Sequence, residues 1–241
     1  MLANSVPGRA WSRLFMASWA LLLLALVLGV SACVSGAPAD VKAQALVAQS
    51  TATIDLFKAR QKDANVLFNA ALRDAKGVMI FPDIFEMAVG VGGQGGPGVM
   101  LTRDANGAWG YPAFYRLSGG SLGVQLGAQS REAVFLLMSD SSVRAVIDSP
   151  TQFAIGSQAT FGEASASSGG GTNIKGANII GFTKGSGVFV GAAISSAYVN
   201  ALQPLNQSYY NSGSATPKAI LIDHAFTNPD ADRLRQALTV K

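Results

Sequence analysis

Four places in this 241-residue chain carry residue types from which sites are built. Gly90-Val91-Gly92-Gly93-Gln94-Gly95 spells G-x-G-x-x-G, the spacing with which a glycine-rich turn brings a pyrophosphate to the amides of a following helix. Gly119-Gly120-Ser121-Leu122-Gly123 spells G-x-S-x-G, the elbow that lifts a nucleophilic serine between a strand and a helix. His224, the only histidine, follows Asp223, so a Ser121–Asp223–His224 triad can be written down. Cys33, the only cysteine, closes the run Val30-Ser31-Ala32-Cys33 behind a long apolar stretch.

Local context dissolves the first three. A phosphate loop needs a helix behind it, but Gly98 is followed by the strand-like Val99–Thr102 and then by Asn106-Gly107, a strong hairpin signal. Pro97 also suits a phosphate-cradling backbone badly. These glycines read as places where strands bend or where another backbone approaches. Beyond Gly123, Gln125 and Leu126 continue an alternating strand rather than opening a helix. Neighbours on an extended chain point to opposite faces, so Asp223 cannot orient His224. One histidine, one cysteine and no close acidic cluster leave no set of zinc ligands. No catalytic residue, metal or cofactor is expected, and the chain reads as a non-enzyme.

Cys33 is different. Arg9 and Arg13 precede the apolar run Leu14–Val30, and small residues lead into the cysteine. That is the pattern of a lipoprotein signal, in which the sulfur is acylated and the chain is cut just before it. A plain secretory site would end in A-x-A and a membrane span needs about 20 apolar residues; neither requires a cysteine at this point. The expected organisation is a signal peptide over 1–32, a flexible tether over 33–39 and a single domain over 40–241. Val34 stands where an aspartate would signal inner-membrane retention, which points to an outer-membrane lipid anchor on the periplasmic face or the cell surface. Loss of Arg9 and Arg13 lowers the formal charge from +4 to +2. That is too little for a nucleic-acid footprint. With no second cysteine to form a disulfide, packing alone must hold a domain of about 200 residues, a size sufficient to bury a core.

The elements follow from spacing. Asp40 is placed to cap a helix over Val41–Arg60, with Leu46, Val47, Ile54 and Phe57 as its apolar stripe. A second helix is expected over Asp63–Ala75, with Leu67, Phe68, Ala71 and Leu72 inward and Gly77 closing it. Strands are expected at Val78–Phe81, stopped by Pro82, and at Phe85–Gly92 and Val99–Thr102. The Asp104–Gly107 turn then leads into a return strand, Trp109–Leu117, and strands follow at Ser121–Ala128 and Ala133–Met138. Ser139 or Asp140 caps a short helix to Ile147, closed by Pro150. Further strands fall at Phe153–Phe161, Ala177–Thr183 and Val188–Ile194, with the small-residue stretch Ala164–Gly171 among them. Asn228-Pro229-Asp230 opens a last helix to Leu238. The fold class is α+β: an antiparallel β-sheet or barrel-like sandwich of six to eight strands with N-terminal helices and a C-terminal helix.

Lys58, Arg60, Lys62, Arg73 and Lys76 lie in or beside the first two helices, opposed only by Asp63 and Asp74. A basic helix carrying Phe57 and Phe68 suits an anionic membrane surface; a solvated basic face with core-directed aromatics accounts for the same pattern.

Three blocks together resemble the SYLF domain family: Ala75–Pro82 (AKGVMIFP), Gly98–Met138, and Gly181–Val199 (GFTKGSGVFVGAAISSAYV). The spacing of Trp109, Pro112, Gly119, Gly123 and Gly127 in the second block is specific. Gly181-Phe182-Thr183 departs from the family's usual Ser-Tyr-Ser, and Ala164–Gly171 is an unusual insert. The resemblance implies a membrane-anchored lipoprotein whose domain binds anionic phospholipid or phosphoinositide headgroups. The matching basic positions are Lys58, Arg60, Lys62, Arg73 and Lys76. Actin bundling, known in eukaryotic members, is not expected of a periplasm-facing lipoprotein. The alternative is a structural or adaptor lipoprotein whose protein partner in the envelope is unknown.

Overall fold

The computed structural model describes residues 37–59, 62–148, 165–166, 172–173, 179–183, 188–189 and 197–240. Helix α1 (Ala39–Lys58) buries Leu46, Val47, Ile54 and Phe57, the expected stripe. It buries Ala43, Ser50, Thr51 and Thr53 as well, because it packs on the sheet and on two later helices. Asp40 is inside the first turn rather than before it, where its carboxylate still meets the positive end of the helix dipole. In α2 (Lys62–Asp74) the expected face of Leu67, Phe68, Ala71 and Leu72 is buried. The Phe57 and Phe68 rings stack at 5.6 Å, and Phe68 meets Phe182 edge-on at 5.0 Å. Such pairs add about 0.5–1.5 kcal/mol each beyond their burial.

The expected short strands are fused into two long ones, β1 (Gly77–Thr102) and β2 (Ala113–Leu137), paired antiparallel. Pro82 does not stop β1. It falls in a register shift between Phe81 and Ile84, where the missing proline amide is tolerated. The return strand starts at Ala113 rather than Trp109, and Trp109 makes only an isolated bridge to Arg103. Gly77 is the first residue of β1 and not a left-handed helix cap. The two glycine motifs are each other's partners: Gly90 lies opposite Gly123, Gly92 opposite Ser121, Gly93 opposite Gly120. Neither is a turn into a helix.

β1 also doubles back on itself. The Arg103 amide donates to the Lys76 carbonyl at 3.0 Å, so the two ends of the strand are neighbours. A Cβ on Gly98 would stand 2.5 Å from the Ile80 carbonyl oxygen, and one on Gly96 would overlap that of Asp83. This approach of backbone to backbone is what the glycines permit.

After β2, Ser139 Oγ accepts from the Ser142 amide and caps α3 (Asp140–Asp148). The short β3 (Ser165–Ala166) and β4 (Thr172–Asn173) pair only with each other. β5 (Ile179–Thr183) pairs with the end of β2, β6 (Val188–Phe189) pairs with β5, and β7 (Ala197–Ala201) pairs with the start of β2. Helices α4 (Gln203–Tyr209) and α5 (Pro217–Leu221) were not marked by the sequence. A 3-10 turn (Pro229–Ala231) then leads into α6 (Asp232–Ala237), with Asn228 Oδ1 accepting from the Asp230 amide as the N-cap. Residues expected as a strand over Phe153–Phe161, and Pro150, lie outside the described residues.

The sheet is covered on both faces. Val78, Ile80, Val99, Leu101, Phe114, Val134 and Leu136 face a core shared with residues of α1, α2, α4 and α6. Met79, Phe81, Met100, Tyr115, Phe135 and Leu137 face a second core shared with α3 and α5. The architecture is thus α+β, an antiparallel sheet with N-terminal helices and a C-terminal helix.

Candidate functional site

The loop between β1 and β2 and the C-terminal helix α6 together shape an open cleft of about 450 Å³. The Asp104–Gly107 turn starts it. Asp104 Oδ1 accepts from the Asn106 and Ala108 amides at 2.9 Å, and Gly107 takes the positive φ of 78° that the turn needs. Arg103, immediately before the turn, caps the C-terminus of α2: Nε donates to Ala75 O at 2.9 Å and Nη2 to Leu72 O at 3.1 Å and Arg73 O at 3.4 Å. Nη1 donates to Gly107 O at 2.6 Å. A cation here is favoured by the negative end of the helix dipole. The same guanidinium lies 4.2 Å over the Trp109 ring.

Across the cleft, Arg235 of α6 is fixed in a similar way. Nε donates to Trp109 O and Nη1 to Asp232 Oδ1, both at 2.8 Å, and the guanidinium stands 4.1 Å over the Tyr111 ring. Trp109 Nε1 donates to Leu238 O at 3.1 Å, closing the loop onto the helix. Tyr111 donates its hydroxyl to Asp232 Oδ1 at 3.0 Å. Hydrogen bonds from Arg235 and then Tyr111 hold the Asp232 carboxyl below its usual range. Burial, and then the bond to Asp232, raise the Tyr111 hydroxyl. The cleft wall therefore carries two protonated guanidiniums, one carboxylate, and the exposed Gln236 and Thr239. The two guanidiniums are fixed donors suited to holding an anion.

The basic residues singled out from the sequence fall into three groups. Lys58 is committed to packing: Nζ donates to Ala237 O at 2.7 Å and Thr239 O at 2.8 Å, capping the end of α6. Burial lowers its ammonium pKa, against the pull of Asp55. Arg73 and Lys76 are exposed at the end of α2, beside the residue that Arg103 fastens. Cys33 and Arg60 lie outside the described residues, as does the side chain of Lys62. Phe57 and Phe68 are each 1% exposed, so the apolar faces of α1 and α2 meet the sheet and not a bilayer. Arg103 and Arg235 were missed. The only signal for Arg103 is its place opposite Trp109 across a recognised turn, and nothing local marks Arg235.

The rejected triad stays apart. Ser121 is in mid-strand opposite Gly92, whereas His224 packs against Gly110 beyond the end of β1. The stretch before His224 is helix α5 rather than an extended chain.

A family model described as "Ysc84: Las17-binding protein actin regulator" matches residues 118–241. Protein YSC84 of Saccharomyces cerevisiae is 26% identical over 175 residues, 69% of this chain and 36% of that protein. LAS seventeen-binding protein 3 of the same species is 26% identical over 175 residues, 69% and 37% of the two chains. An SH3 domain-containing protein of Schizosaccharomyces pombe is 26% identical over 182 residues, 71% and 40%. The chain thus spans less than half the length of these relatives. No solved structure matches.

Proposed function

The chain belongs to the Ysc84 family, the SYLF domain family its sequence resembles, and from that premise we propose that it is a non-catalytic lipoprotein whose domain binds anionic phospholipid headgroups. The supporting observation is the pair Arg73 and Lys76. Both are exposed, in and just beyond the last turn of α2, and no described residue engages either side chain. Each cation near an anionic surface contributes about 1 kcal/mol. Acylation of Cys33 supplies the other half of the attachment, because one chain alone holds a protein only marginally. Five residues separate Cys33 from Ala39, the start of α1, which makes six Cα steps. Fully extended they reach about 20 Å, so the domain stays beside the membrane that holds the anchor. The membrane proposed is the outer one, on its periplasmic face or at the cell surface.

Flotation of the full chain on phosphatidylcholine vesicles with and without phosphatidylglycerol tests this reading. Wild type should float preferentially with the anionic vesicles, and Arg73→Glu with Lys76→Glu should cut that preference roughly tenfold or more. Equal flotation by both chains removes the pair from the account. Lys58 is a poor test residue, since its replacement disturbs α6 whatever the lipid.

The relatives' names favour a second reading. One of them, and the family model itself, are described by a protein they bind, which supports an adaptor that holds an envelope protein. Cross-linking in intact cells to one dominant protein partner, with no loss in the Arg73/Lys76 variant, would favour it.

A further inference from the structure

We propose that the cleft between Trp109 and α6 is a discrete binding site for a phosphate group, read by Arg235 with Arg103. The proposal goes beyond the membrane reading and does not rest on it, because Arg73 and Lys76 take no part.

The argument starts from how the guanidiniums are held. Arg103 donates to four carbonyls and stands over the Trp109 ring, which fixes its orientation. Arg235 is pinned by Trp109 O, Asp232 and the Tyr111 ring. Yet its Nη2 donates to no described residue, and Nη1 has a second hydrogen left over. The side chain is 29% exposed, so these donors lie in the wall of an open cleft rather than in bulk water. A planar fork with its orientation fixed beforehand loses little freedom on binding, and matches two oxygens of a phosphate at once. Among the lining residues two guanidiniums stand against the single Asp232 carboxylate, with Asp74, outside the lining, acting on Arg103. Asp232 holds one hydrogen of Arg235 and does not neutralise the site. Gln236 and Thr239 add polar groups to the wall, and the volume admits a phosphate with a small attached group. The phosphate can belong to a lipid headgroup or to a soluble phosphate compound, since the chemistry offered is the same.

Trp109 forms part of the cleft and reports on it. In the full chain with Trp11→Phe and Trp19→Phe, it is the sole tryptophan. Inorganic phosphate should shift its emission saturably at constant ionic strength, whereas chloride should not. Gln236→Glu places a negative charge in the wall at an exposed position away from the frame, and should weaken phosphate binding at least tenfold with the unfolding midpoint unchanged. Arg235→Lys keeps the charge but loses the fork, and should also weaken it at least tenfold. Arg73→Gln with Lys76→Gln should leave it within twofold. A phosphate response that does not saturate, or that survives Gln236→Glu, overturns the proposal. Flotation on phosphatidylcholine vesicles with phosphatidic acid then assigns the source. Reduced capture of Gln236→Glu identifies a lipid phosphate, and unchanged capture a soluble one; both support a phosphate site. Failure of the Arg73/Lys76 flotation test with phosphate binding intact removes that pair from the membrane reading and leaves the phosphate site standing.

Discussion

Lys58 Nζ lies 2.7 Å from the carbonyl oxygen of Ala237, so the last residue of α1 caps the end of α6. A second bond reaches Thr239 O at 2.8 Å. Hydrogen bonds to a charged group contribute about 1.5–3 kcal/mol. Lys58→Met should therefore lower stability by about that amount, while Lys76→Ala should stay within about 0.5 kcal/mol. Urea unfolding followed by Trp109 emission checks both. Equal midpoints for the two variants would show that the capping contributes nothing.

Arg103 closes α2 where a glycine cap was expected, through Leu72, Arg73 and Ala75 carbonyls. A lysine cannot reach all of them from one point. Arg103→Lys should cost about 1–3 kcal/mol by the same measurement, and should weaken the near-ultraviolet circular dichroism of Trp109 as the ring loses its covering cation.

Two glycines of β1 should behave in opposite ways. At Gly96 a methyl group overlaps the Asp83 carbonyl, whereas at Gly93 nothing lies within 4 Å. Gly96→Ala should destabilise by about 1–3 kcal/mol or more, and Gly93→Ala should change stability by less than about 1 kcal/mol. Thermal unfolding of both variants is the check. Similar melting temperatures would mean that β1 does not fold back as described.

Asn206 is fully buried, and its Oδ1 accepts from the Phe114 amide at 2.8 Å. This bond ties α4 to the start of β2. Asn206→Leu leaves that amide without a partner at a cost of about 1–3 kcal/mol. Hydrogen exchange at Phe114 should accelerate in the variant more than exchange at Leu136; uniform change across the sheet would contradict a local role.

Asp232 gives the pH dependence. Its folded pKa is depressed by Arg235 and then Tyr111. A depressed carboxyl contributes stability that is fully present above its unfolded value of about 3.9 and is lost as pH falls through the folded value. Acidification below about pH 4 should therefore loosen α6 from Tyr111 and shift Trp109 emission to the red. In Asp232→Asn the part of that acid response due to this carboxyl should vanish. An identical acid profile would remove Asp232 from the account.

Much of the fold was legible in local pattern. The helical stripe of Leu46, Val47, Ile54 and Phe57, the face of Leu67, Phe68, Ala71 and Leu72, and the Asn228 cap are all where spacing placed them. Each depends on residues a few positions apart, so the sequence carries it directly. The turn at Asp104–Gly107 was legible for the same reason. Helices α4 and α5 were not, because each is a turn or two long and leaves almost no period to detect. The candidate cleft was half visible: its turn and its tryptophan were, its two arginines were not.

By itself, then, the amino-acid order determined most of the longer local elements, the identity of the family and the strand setting of the two glycine motifs, since these rest on composition and near spacing. Only the tertiary structure decided which cations cap helices and which stay exposed. Lys58 and Ala237 are 179 positions apart, and Trp109 and Leu238 129 apart. No periodicity along the chain records such pairs. They form because burying the faces of α1 and α6 on one sheet brings the carbonyls at the end of α6 within reach of donors that must satisfy them.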